Sequence, residues 1–160
     1  MRKFLQLTVL IFASAFVSQA ALAGAGKSGH GHAGFSAGAV GDPKKPARTI
    51  KVSMHEDGKK MLFTPSNITV RKGEQVRFML SNDGIENHEF VLATVAENRK
   101  HGALMKKYPK MEHVDPNARK LTPYTGGEMF WKFSKKGTFE FACLLPGHYE
   151  AGMHGTITVK

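Results

Sequence analysis

Phe139-Glu-Phe-Ala-Cys143-Leu-Leu-Pro-Gly-His148-Tyr-Glu-Ala-Gly-Met153-His-Gly-Thr-Ile-Thr-Val159 is the stretch on which the organisation of the chain turns. Phe139, Phe141 and Cys143 occupy alternate positions, so they share one side of a strand; Ile157 and Val159 repeat the pattern near the C-terminus. Between these strands Pro146, Gly147 and Gly152 make a tight loop. Four residues separate Cys143 from His148, and four more separate His148 from Met153. A thiol, an imidazole and a thioether are therefore presented from one loop at one end of a β-structure.

Reading outward, the same period of two recurs. Ile50, Val52 and Met54 share a side, as do Ile68 and Val70, then Val76, Phe78 and Leu80, and then Met129, Trp131 and Phe133. Glu89-Phe90-Val91-Leu92 reads as a further strand. Lys72-Gly73, Asn82-Asp83-Gly84 and Lys135-Lys136-Gly137 supply turns. Short alternating strands divided by turn signals predict an all-β domain, an antiparallel sandwich or barrel with its apolar side inward. One insertion breaks the pattern. Thr94 followed three residues later by Glu97 is a capping box, and Leu104 and Tyr108 lie one helical turn apart, while Gly102 and Pro109 interrupt the pattern; one helix or two short turns is expected between Thr94 and about Lys110. Pro116 to Glu128 reads as a loop.

Soft sulfur together with imidazole suits copper, and two histidines, one cysteine and a weak axial methionine form the electron-transfer copper arrangement. Zinc is less apt, because its structural sites use cysteine and histidine rather than thioether. The loop supplies Cys143, His148 and Met153. The second imidazole comes from Asn87-His88-Glu89-Phe90, where His88 follows the Asn82–Gly84 turn at the start of an apolar strand.

These landmarks resemble the cupredoxins, the type 1 or blue copper family. The resemblance runs from about Thr49 to Lys160 through Phe63-Thr-Pro-Ser-Asn-Ile-Thr-Val70, Lys72-Gly73-Glu74, His88, the Cys143–His148–Met153 loop and Gly155-Thr-Ile-Thr-Val159. The loop spacing is similar to that of rusticyanin and auracyanin, and the basic charge and His-bearing arm resemble the periplasmic cupredoxins of bacterial copper-tolerance systems. The resemblance implies a Greek-key sandwich and one type 1 copper held by His88, Cys143, His148 and Met153. It also implies that His148 lies at the surface in an apolar patch, which Leu145, Pro146 and Tyr149 can supply. The residue after the first histidine is often Asn or Ser in this family; here it is Glu89.

The ends of the chain place it. Arg2 and Lys3 precede a mostly apolar run from Phe4 to Val17, and Ala21-Leu22-Ala23 offers a small-x-small cleavage pattern, so residues 1–23 read as a signal peptide and the location as periplasmic. Residues 24–48, rich in Gly, Ala, Ser and His, read as a flexible arm, and 49–160 as the domain. The formal charge is +10, of which the signal peptide supplies two positives. An exported basic protein meets little nucleic acid, so an acidic protein or an anionic membrane surface fits the charge, a solvated basic face with no partner being the alternative; a redox protein docking near His148 is the expected partner, with no stable membrane insertion and a monomeric state. A single cysteine in 160 residues excludes an internal disulfide and a binuclear thiolate-bridged centre within the chain. Ala142 and Leu144 flank Cys143 where a multicopper oxidase carries histidines, which argues against a linked trinuclear cluster.

Three functions fit this set: copper handling for tolerance, a soluble electron carrier between respiratory or photosynthetic complexes, and a weak cuprous oxidase. No catalytic residue is assigned, and enzymatic activity is not the primary expectation. His30, His32, Met54, His55, His101, Met105, Met111, His113 and His154 are candidates for additional weak copper sites.

Overall fold

The structure, a computed structural model, describes residues 35–108 and 115–160. The apolar alternation becomes ten strands and one helix: β1 (Ala39–Val40), β2 (Arg48–Asp57), β3 (Lys60–Thr64), β4 (Asn67–Val70), β5 (Gln75–Asn82), β6 (His88–Ala93), α1 (Val95–Lys107), β7 (Ala118–Leu121), β8 (Gly126–Lys132), β9 (Gly137–Ala142) and β10 (His154–Val159). They form two five-stranded sheets, ordered β1-β8-β5-β2-β3 and β4-β10-β9-β6-β7. This is the expected β-sandwich with a short helical insertion. Most pairings are antiparallel, but β2 pairs with β5 and β4 with β10 in parallel. The reason for the first is topological: after the β2–β3 hairpin the chain crosses to the second sheet as β4, then returns in β2's own direction.

Between the sheets lie the wholly buried Trp131, Phe78, Phe90, Phe133, Phe141, Met54, Met129 and Ile157. Phe90 stacks on Phe141 with centroids 5.1 Å apart, and Phe63 meets Phe141 edge-on at 5.1 Å. Each such side chain contributes on the order of 1.5–3 kcal/mol by leaving water, and together they make the sandwich a rigid support.

That support delivers the predicted chemistry to one edge. β6, β9 and β10 are consecutive antiparallel neighbours, with Val91 opposite Ala142 and His154 opposite Ala142. The start of β6, the end of β9 and the start of β10 therefore lie at one end of the sheet. His88 opens β6, Cys143 follows β9, and Met153 precedes β10.

The helix forms where the capping box predicts: the Thr94 hydroxyl accepts from the Glu97 N–H, and the Glu97 carboxylate accepts from the Thr94 N–H. Three expectations need correction. The segment from Pro116 to Glu128 is no continuous loop, because β7 pairs with β6 and β8 begins at Gly126. Its sequence hides the strand: in the edge strand Ala118-Arg-Lys-Leu121 only Leu121 is buried, Lys120 is exposed and Arg119 is half-buried, its Nε donating to the Glu128 carbonyl. β3 was not anticipated either, since Lys60-Met-Leu-Phe-Thr64 shows no clean alternation.

The third correction concerns the arm. Within residues 35–48, expected to be flexible, β1 pairs with Trp131 and Lys132, Ala37 is wholly buried, and Phe35 packs edge-on to Trp131 at 5.2 Å. Trp131 Nε1 donates to the Ala37 carbonyl at 3.2 Å. The Gln75 amide accepts from the Asp42 N–H and donates to the Asp42 carbonyl. A segment poor in large apolar residues is held here by one aromatic anchor and backbone pairing. The expected signal peptide and the histidines at 30 and 32 lie outside the described residues.

Candidate metal centre

Cys143 Sγ and one ring nitrogen each from His88 and His148 lie within 4.8 Å of one another, the one such group of three or more His, Cys, Asp or Glu donors among the described residues. His148 Nδ1 is 3.2 Å from His88 Nδ1 and 3.4 Å from Cys143 Sγ. The two rings meet edge-on, with centroids 5.2 Å apart. His88 and Cys143 are wholly buried, while His148 is half-buried at the loop apex.

The loop geometry follows from its backbone bonds. The N–H of His148 donates to the Leu145 carbonyl, that of Ala151 to Gly147, and that of Gly152 to Tyr149, each at 3.0 Å. Gly147 and Gly152 take φ of 91° and 101°, a region other L-residues rarely adopt. Met153 is tied to both neighbours: its N–H donates to the His148 carbonyl, and its carbonyl accepts from the Cys143 N–H, both at 3.0 Å. The Met153 side chain is wholly buried in the same core cluster as Cys143.

Burial pushes the Cys143 thiol up to about 12, against the lowering effect of the Glu89 and Leu145 N–H groups. Burial, then the neighbouring His88, holds His148 below the usual histidine value. Burial thus leaves a thiol beside a neutral imidazole, groups that a soft cation can bind once the thiol has lost its proton. Copper fits the donor set, since thiolate and imidazole together are its preferred combination.

Around these donors lies a set of supporting contacts that sequence reasoning did not assign. His88 Nε2 is 3.0 Å from Glu56 Oε1. Burial opposes the charge on Glu56, but the N–H groups of Glu86 and Ile85, with His88 nearby, hold its carboxyl below the usual range. The Glu89 N–H points at Cys143 Sγ from 3.4 Å, and the Glu89 carboxylate accepts from the Leu144 N–H at 2.8 Å. Glu89 thus ties β6 to the loop that carries Cys143. Tyr149 OH donates to Glu140 Oε1 at 2.9 Å, and Asn98 Nδ2 donates to Glu140 Oε2 at 3.0 Å, which fastens α1 to the loop. Glu89 was noticed for its place beside His88; Glu56 and Glu140, on distant strands, carry no sequence signal.

Among the described residues, His55, His101 and His154 join no further group of three His, Cys, Asp or Glu donors. Met54 and Met105 are buried packing residues. His55 Nδ1 lies 3.4 Å from the Ser53 hydroxyl, His154 is exposed and stacks on Tyr149 at 4.8 Å, and His101 is half-buried on α1. Met111 and His113 lie outside the described residues.

Comparison with known proteins agrees with this geometry. The chain is 41% identical over 165 residues to the copper-resistant cuproprotein CopI of Rubrivivax gelatinosus, covering 99% of this chain and 98% of that protein. It is 33% identical to the protein of the same name from Pseudomonas aeruginosa, covering 76% and 83%. Among solved structures, auracyanin B superposes with a TM-score of 0.64 at 24% identity, covering 77% of this chain and 96% of that one, a likeness of fold. Residues 50–160 match the copper binding proteins of the plastocyanin/azurin family, with the donor set at the expected end of the sandwich, and the chain belongs to that family, the cupredoxins, with copper as its cofactor.

Proposed function

We propose that the chain holds one type 1 copper through His88, Cys143 and His148, with Met153 as axial donor, and serves copper tolerance in the periplasm by one-electron exchange. The observation that carries this is the convergence of two imidazoles and the buried thiol within 4.8 Å. The CopI relatives, similar over nearly the whole chain in one case, support the tolerance role.

Copper supplies the one-electron couple; the protein supplies a fixed frame. On copper binding the Cys143 thiol would release its proton to solvent, and the N–H groups of Glu89 and Leu145 would stabilise the resulting thiolate. The Leu145, Gly147 and Tyr149 carbonyl bonds brace the loop, and the buried core beneath it keeps the donors in place whatever the charge between them. Donors held in this way would move little on gain or loss of an electron, which would keep the reorganisation cost small.

A soluble electron carrier is the second reading, favoured by the exposure of His148. His148 is half-buried on the loop that also carries the exposed Pro146 and the half-buried Leu145 and Tyr149. Next to them a groove of about 370 Å³ between α1 and the loop is lined by Leu144, Leu145 and Tyr149, together with Arg99 and the Lys106–Glu150 ion pair. This face suits an acidic redox partner.

Copper titration with a visible spectrum tests the site: one equivalent and an intense thiolate-to-copper band are expected, both altered in Cys143→Ser, where the band is abolished. A protein without that band overturns the assignment. A deletion strain separates the roles. Copper sensitivity with normal respiration supports tolerance, and the reverse supports the carrier.

A further inference from the structure

Glu56 stands on β2, in the opposite sheet from His88, yet its carboxylate reaches the far nitrogen of that ring at 3.0 Å. The seat is built for it. Glu56 Oε2 accepts from the Ile85 N–H at 3.1 Å and Oε1 from the Glu86 N–H at 3.0 Å. The wholly buried Asn82 shapes the same turn, accepting from the Gly84 N–H at 3.0 Å and donating to the Glu86 carbonyl at 2.8 Å. Gly84 leaves the room: a Cβ there would lie 2.2 Å from Glu56 Oε2. The turn that introduces His88 is thus wrapped around one carboxylate.

An ionised carboxylate only accepts hydrogen bonds, so the His88 proton belongs on Nε2 and the lone pair on Nδ1, the atom facing His148 and Cys143. A carboxylate behind a metal-binding imidazole also raises the basicity of the ring and places negative charge near the metal. We propose that Glu56 is a positioning residue for the copper centre: it holds His88 with Nδ1 as donor, and its charge shifts the preference of the site toward the more highly charged Cu(II) form. This rests on the copper assignment to His88.

Two measurements test it. In the copper-free wild-type protein, nitrogen-15 NMR of the His88 ring is expected to show the proton on Nε2; a proton on Nδ1 overturns the proposal without any variant. In Glu56→Gln the amide retains an acceptor but no charge. This variant is expected to bind one copper with the thiolate band retained, and to shift the Cu(II)/Cu(I) affinity ratio at least tenfold toward Cu(I), a potential rise of about 59 mV per tenfold. An unchanged potential overturns the charge effect. If Glu56→Gln does not fold, the wild-type tautomer decides. Wild-type protein that takes up no copper defeats the copper assignment instead, and the tautomer result then stands on its own.

Discussion

The backbone N–H of Glu89 lies 3.4 Å from Cys143 Sγ, while the carboxylate of the same residue takes the N–H of Leu144, the next residue after that cysteine, at 2.8 Å. One residue on β6 therefore both donates to the sulfur and clamps the chain that carries it. Both contacts are buried, so neither competes with water.

Glu89→Ala is expected to leave the Leu144 N–H without its buried acceptor, a loss of about 1–3 kcal/mol. Glu89→Gln keeps an amide oxygen in the same place and is expected to recover most of that stability. Chemical denaturation of the three copper-free proteins measures this; equal stability of Glu89→Ala and wild type contradicts the clamp.

Met153→Leu conserves volume in a wholly buried position, so the fold is expected to survive with a cost under about 1.5 kcal/mol. Loss of a polarisable axial donor is expected to leave copper bound and to raise the potential. Redox titration beside the visible spectrum checks it, and an unchanged potential removes Met153 from the donor set.

Copper-free protein is expected to lose stability in alkali through Cys143. Burial raises the folded thiol from 9.0 to about 12, so above pH 9 the unfolded chain releases a proton that the folded chain keeps. Stability from this group is full below pH 9 and falls as pH rises toward 12, by at most about 1.4 kcal/mol per pH unit. Denaturation midpoints between pH 8 and pH 10 test the slope, which should be shallower in Cys143→Ala.

Gly38→Ala probes the N-terminal segment. Gly38 has φ of 138°, and a Cβ there would lie 2.1 Å from the Lys132 carbonyl oxygen. The substitution is expected to cost about 1–3 kcal/mol and to expose the Trp131 indole, read as a shift in tryptophan fluorescence. A silent Gly38→Ala would mean that β1 contributes nothing to the sandwich.

Much of the copper centre was legible because its donors are rare and their spacing is local. Cys143, His148 and Met153 fall in one loop of eleven residues, and the soft sulfurs with imidazole name the metal's chemistry without any coordinates. The alternating strands were legible for a similar reason: Val76, Phe78 and Leu80, or Met129 and Trp131, must bury one face. Where packing is asymmetric the pattern fails. Ala118-Arg-Lys-Leu121 is a strand whose partner supplies the reason, and residues 35–48 are held by Trp131, some ninety positions away.

Composition and local order by themselves determined the class of fold and the capping box of α1, and singled out His88, Cys143 and His148, whose donor atoms the structure brings within 4.8 Å of one another. Only the tertiary structure decided which carboxylates serve the site. Glu56 reaches His88 from the other sheet, Glu89 faces Cys143 across a strand pairing, and Glu140 meets Tyr149 and Asn98 between helix and loop. The physical reason is range: strand periodicity and loop spacing act over a few residues, whereas hydrogen bonds between strands depend on the register in which the sheets close.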